Sequence, residues 1–213
     1  MHGTANPLMP VRFRPWPRVL TLYFSIGLLH SSDSDICHVH GQLMEDQYSL
    51  PHGLVKAVLL TESGRSYQGA LRAWPWSVQA QGRTRFLASK TQAIAFVKSL
   101  QKRGIRNIDV GCMQINLHYH PHFAKNITQA FCPKANVVYG VKLLRHLYEK
   151  TGSWVWAVKS YHAHPQSYAA RNYYEKILRH WQNQNESWVY RSSASKFLPT
   201  MAYDYVDRAT PRP

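Results

Sequence analysis

The chain has 213 residues, enough for one globular domain with tails. Hydrophobic residues at 45% and aromatics at 13% argue against wholesale disorder, because a real core can be buried. Lys and Arg outnumber Asp and Glu 26 to 11, a formal charge of +15 that suits a polyanionic partner: nucleic acid, an anionic membrane surface or an acidic polymer such as cell wall.

Residues 1–34 read as a targeting segment. Arg12, Arg14 and Arg18 precede the apolar run VLTLYFSIGLL at 19–29, and the polar HSSDSD follows. Basic and then apolar is the order of an export signal. The run is short of the roughly 20 residues that a spanning helix needs. Ser32 and Ser34 can serve as the small residues before a cleavage site, retention as an uncleaved membrane anchor is the alternative, and Met9 is a second possible start. The expected location is therefore exported, in the periplasm. Residues 35–50 read as a short lead-in.

A first helix is predicted for GLVKAVLLTESG at 53–64. Val55, Val58, Leu59 and Glu62 recur at i, i+3, i+4 and i+7, and Gly64 stops it. WPWSVQAQGRTRFLAS at 74–89 alternates on either side of Gly82 and reads as a small hairpin. A second helix covers 89–104, with Ile94, Val97 and Leu100 on one stripe and Gly104 as its stop. A loop carries DVGCMQINLHYHPHF at 109–123. The third helix, 135–152, puts Val137, Val141, Leu144 and Tyr148 on one stripe. Ser153 caps a fourth, 154–163, and a fifth runs over 168–181 with Tyr174, Ile177, Leu178 and Trp181 inward. Residues 183–213 form a polar, Pro-ended tail. The expected fold class is mainly α, an α+β domain over 35–182 with one small β-hairpin.

Between Gln47 and Tyr148 the acidic residues are Glu62 and Asp109 alone. Glu62 shares a helical face with buried-type residues, and loss of hydration there disfavours its charged form and raises its pKa. Lysozyme-type enzymes keep a glutamic acid protonated by this means. The competing reading is a helix-end glutamate that reaches solvent or pairs with Arg65 or Arg72. Asp109 precedes Gly111 and reads as a loop or helix cap. Glycoside hydrolysis usually takes two carboxylates, whereas substrate-assisted routes need one.

The ordered segments resemble a known family. Glu62-Ser63-Gly64-Arg65, AWPWSVQAQG at 73–82, SKTQAIAFV at 89–97 and GIRNIDVGCMQINL at 104–117 are similar to the lytic transglycosylases with a lysozyme-like, SLT-type catalytic domain. AFCPKANVVYGVKLLRHLY at 130–148 and GSWVWAVKSYHA at 152–163 extend the resemblance over roughly residues 50–182. It implies an α-rich lysozyme-like fold and a lyase acting on peptidoglycan glycan strands with no cofactor and no metal. Glu62 would be the catalytic acid and then base. Met113, Gln114 and Asn116 would be substrate-binding, with Asn116 alternatively capping its loop. Tyr161 would match the family's A-Y-N-A-G tyrosine, whose hydroxyl helps position the glutamate. His162 and His164 depart from that pattern, which has Asn and Gly there. Single-domain members often open the wall for secretion, conjugation or flagellar machines. A hydrolytic muramidase using Asp109 or a bound water, and a non-catalytic wall-binding protein, are the alternatives.

The remaining features are weaker. His118, His120 and His122 alternate in a loop, and with His162 and His164 they do not specify a zinc site. Trp74, Trp76 and Trp156 suit either sugar stacking or core. The scattered Lys and Arg form no motif for base readout, so nucleic acid is a poor partner. Export permits one disulfide among Cys37, Cys112 and Cys132, with the pairing open; small buried thiols at 112 and 132 are the alternative.

Overall fold

The computed structural model describes residues 33–192, with side chains over 35–182. The part of the expected targeting segment up to residue 32, and the expected tail beyond residue 192, lie outside the described residues. The first elements are α1 (Asp33–Gln47), α2 (Leu54–Ser63), β1 (Gly64–Tyr67), β2 (Ala70–Ala73), β3 (Ser77–Ala80), β4 (Arg83–Phe86) and α3 (Lys90–Lys102). Then follow β5 (Ile108–Val110), β6 (Ile115–Asn116), α4 (Pro121–Ala124), α5 (Ile127–Ala130), α6 (Pro133–Thr151), α7 (Trp154–His162) and α8 (Tyr168–Ser192). The class is mainly α with small antiparallel sheets, as in a lysozyme-like fold. Among the described residues no helix is long and apolar enough to cross a membrane.

The predicted helices over 53–64, 89–104, 135–152, 154–163 and 168–181 correspond to α2, α3, α6, α7 and α8. Helix α8 continues to Ser192, so residues 183–192 of the expected tail are helical. Its inward face is rotated from the expected one: Ala170, Tyr173 and Ile177 are buried, while Tyr174, Leu178 and Trp181 are half-buried.

Three segments differ from the sequence reading. The lead-in at 35–50 is mostly helix α1, which packs on α2 and α6. Its buried face is Cys37, Gly41 and Glu45, at i, i+4 and i+8. A thiol, a glycine and a carboxylate leave no hydrophobic stripe to read. A second hairpin, β1–β2, lies between the acid and the PWPW segment. Both hairpins turn on Gln-Gly with positive φ at each residue: Gln68 (50°) and Gly69 (75°), Gln81 (52°) and Gly82 (71°). That is the two-residue geometry whose twist matches paired strands. The loop at 109–123 contains β5 and β6, which extend the sheet in the order β4-β3-β5-β6, all antiparallel.

Two apolar clusters result. One joins α1, α2, α6, α7 and α8 through Leu54, Val58, Val141, Leu144 and Ile177. The other joins the four-stranded sheet to α3 through Val78, Ile108, Val110, Val97 and Leu100, with Phe131 after α5. A disulfide links Cys37 of α1 to Cys112, and Cys132 is free and half-buried.

Helix α2 is fixed at its start by α1. Glu45 is 2% exposed, and its carboxylate accepts the N–H groups of Gly53 and Val55, the latter at 2.9 Å. A negative charge on these free donors suits a helix N-terminus. Ten residues later the helix delivers Glu62.

Candidate active site

Glu62 lies at the last turn of α2, half-buried, on the edge of a cavity of about 330 Å³. Thr61 and Glu62 of α2, Gln79 of β3, His162 of α7 and Ala169, Asn172, Tyr173 and Lys176 around α8 line that cavity. The α8 residues recur at i, i+3, i+4 and i+7, so one helical stripe forms a wall. Neither arginine that was expected to compete for Glu62 does so. Arg72 pairs with Asp35, and the Arg65 guanidinium sits 4.1 Å from the Trp74 ring centre.

The Tyr173 hydroxyl donates to Glu62 Oε1 at 2.6 Å. Burial is the largest influence on the carboxyl and pushes its pKa from 4.5 up to about 8. The Tyr173 hydrogen bond and Lys176 act against the rise, and Asp109 adds to it. Glu62 is therefore a protonated acid at neutral pH, with Oε1 held and Oε2 left to carry the proton. Burial also holds the Tyr173 and Tyr161 phenols well above their ordinary value, with the Glu62 charge adding to it. Tyr173 thus stays a donor.

Beside the acid, the 111–114 turn is pinned from several sides. Ser63 Oγ donates to the Cys112 carbonyl at 2.7 Å, tying the end of α2 to the turn. Asn136, buried on α6, accepts from Met113 N–H at 2.8 Å and donates to the carbonyls of Val110 and Ala130. Gly111 has φ 80°, and a Cβ there would stand 2.4 Å from Asn136 Nδ2. Gln114 also has positive φ (46°).

The expected substrate contacts fare differently. Met113 is fully buried against Gly140 and is not among the residues that line the cavity. Gln114 is 9% exposed, and its Nε2 donates to Ser77 Oγ at 2.8 Å and the Gly111 carbonyl at 2.9 Å. Its amide braces the turn against β3. Asn116 caps its loop: Oδ1 accepts from His118 and Tyr119 N–H, and Nδ2 donates to Asp109 Oδ1 at 2.7 Å. Its polar atoms are engaged within the loop, in the manner of the capping alternative. The Tyr161 hydroxyl donates to the Met113 carbonyl at 2.8 Å, so the tyrosine hydrogen-bonded to Glu62 is Tyr173 on α8. Asp109 lies on β5, opposite Gln79 of β3, and not in a loop or helix cap.

Other candidates have structural places. Trp74 and Trp76 are core, with Trp74 Nε1 donating to the Leu87 carbonyl at 2.7 Å. Trp156 is exposed. His120 Nδ1 lies 2.9 Å from the Tyr139 hydroxyl, while His118 and His122 are exposed. Among the described residues no group of three His, Cys, Asp or Glu is placed to hold a metal ion. His162 does reach the cavity: its ring stacks on Tyr173 at 4.4 Å and 4°.

Sequence reasoning missed Tyr173, Asn172 and Lys176. The available signal was Ala170, Tyr173 and Ile177 at i, i+3 and i+7, an alternative to the chosen stripe. It also missed Asn136, which carries no pattern of its own.

A family described as "Transglycosylase SLT domain" matches residues 42–184 of the chain. No curated protein and no solved structure matches it significantly.

Proposed function

This chain belongs to the transglycosylase SLT domain family, and we propose that it cleaves the β-1,4 bond between N-acetylmuramic acid and N-acetylglucosamine as a lytic transglycosylase in the periplasm. The family acts on peptidoglycan, and a chain of charge +15 is attracted to an anionic wall.

The observation that supports the one-carboxylate route is the state of Glu62. It is a half-buried acid with a pKa of about 8, held by Tyr173 on a cavity in which it is the sole carboxyl among the lining residues. Glu62 gives its proton to the glycosidic oxygen as the bond from C1 breaks. The carboxylate left behind takes the proton of the muramic 6-hydroxyl, whose oxygen bonds to C1 and closes a 1,6-anhydro ring. Glu62 ends as it began, and no water is consumed. Proximity favours the intramolecular attack, and the acid's pKa suits proton transfer near neutrality. Asp109 is engaged by Asn116, which argues against a free second carboxylate.

Mass spectrometry of digested sacculi tests this reading. Anhydro ends are expected from the wild type and none from Glu62→Gln with its fold intact. Products with reducing ends, heavier by one water, would mark a muramidase. Binding to sacculi without soluble products would mark a wall-binding protein.

A further inference from the structure

The stripe of α8 that faces the cavity carries more than the tyrosine. Lys176 sits one turn beyond Tyr173 and lines the same cavity as Glu62 and His162. Its ammonium is close enough to act electrostatically on both of those groups. Among the described residues it forms no salt bridge. Glu62, the one carboxyl among the lining residues, is protonated before reaction. His162 is stacked on Tyr173, and burial followed by Lys176 keeps its ring below the ordinary histidine value. Among its lining residues the cavity that is ready to react thus has one fixed charge, a cation, while Asp109, engaged by Asn116, acts on Glu62 from outside the lining. An anion is the group that such a cavity favours.

We propose that Lys176 is a specificity residue that binds a carboxylate of the muramic substituent beside the scissile bond, with the His162 edge and Asn172 as flanking hydrogen-bond partners. This rests on the peptidoglycan reading above and extends it. Two sources supply that chemistry. The lactyl ether of muramic acid is itself a free carboxylate once its peptide has been removed, and an intact stem peptide carries carboxylates further out. A glycan made only of N-acetylglucosamine has neither.

Calorimetry on the Glu62→Gln protein tests this without turnover. The ligands are a peptide-free glycan fragment, its lactyl methyl ester and the peptide-bearing fragment. The free acid is expected to bind about five- to tenfold tighter than the ester, as for a partly shielded ion pair. Adding Lys176→Met should erase that ratio, and Lys176→Arg should keep it. If the peptide-bearing fragment instead shows the loss with Lys176→Met, the carboxylate is the peptide's and the assignment of Lys176 stands. Equal binding of all three ligands, no binding, or an equal loss for acid and ester in Lys176→Met would overturn it. Because no cleavage is read, a chain that makes reducing rather than anhydro ends leaves this result interpretable.

Discussion

The Tyr173 hydroxyl reaches across 111 positions of sequence to hold one oxygen of Glu62 at 2.6 Å. The bond favours the carboxylate, yet burial dominates and the acid remains protonated to about pH 8. Tyr173 therefore tunes and aims an acid that its surroundings keep neutral.

Removing that hydroxyl should release the restraint on the pKa. A hydrogen bond to a charged group contributes about 1.5–3 kcal/mol, equivalent to about one to two pKa units. In Tyr173→Phe the alkaline fall of kcat/KM should move up by about one unit, with turnover at the optimum down about tenfold to a hundredfold. A pH profile of muropeptide release measures both.

Stability should carry the opposite sign. Glu62 has a folded-state pKa of about 8 against an ordinary 4.5. Below about pH 4.5 both folded and unfolded chains hold the proton and nothing is lost. Between 4.5 and 8 only the folded chain holds it, so its contribution falls as pH rises and levels off above 8. Glu62→Gln should accordingly unfold like the wild type near pH 4 and be more stable by about 1–3 kcal/mol near pH 9. Urea unfolding at the two pH values compares them.

Gly64 is needed for space rather than for positive φ. It leaves α2 in extended conformation, and a Cβ there would stand 2.2 Å from the Leu60 carbonyl oxygen. Gly64→Ala should lower stability by about 1–3 kcal/mol through backbone displacement. Because Glu62 is two residues away, activity should drop further than the folded fraction does. Calorimetric Tm and turnover on the same sample separate the two effects.

The Cys37–Cys112 disulfide closes a long loop, with 75 positions between its ends. Chain-entropy arguments assign such a link about 4.5 kcal/mol. Reduction, or Cys37→Ala with Cys112→Ala, should lower the unfolding free energy by up to that amount, read from the urea midpoint and slope. The 111–114 turn should loosen with it, read as faster amide exchange at Met113.

The sequence made the acid and its helix legible because Val55, Val58, Leu59 and Glu62 recur at helical spacing, and Gly64 follows. The Gln81-Gly82 hairpin is readable from alternation on either side of it, whereas the same dipeptide at Gln68-Gly69 lacks flanking alternation as clear. Helix α1 was hidden because its buried face is Cys37, Gly41 and Glu45, which together form no hydrophobic stripe. The placing of Tyr161 followed a motif, whereas the hydroxyl at the acid depends on how α8 rotates. Two stripes on that helix were apolar enough to face inward, and tertiary packing chose the one containing Tyr173. Met113, Gln114 and Asn116 were expected at the substrate through the family resemblance, which carries no information on local packing. The 111–114 turn buries Met113, and the side chain of Asn116 is engaged by its own loop.

Helix α2 is a short beam clamped at both ends. Glu45, near the start of the 42–184 family match, grips its first turn, and Tyr173, near the finish, grips the acid at its last. Neither margin of the domain is expendable trim. A cut just after residue 45 or just before residue 173 would unmoor the same carboxyl, although the two cuts fall at opposite extremes of the chain that folds around it.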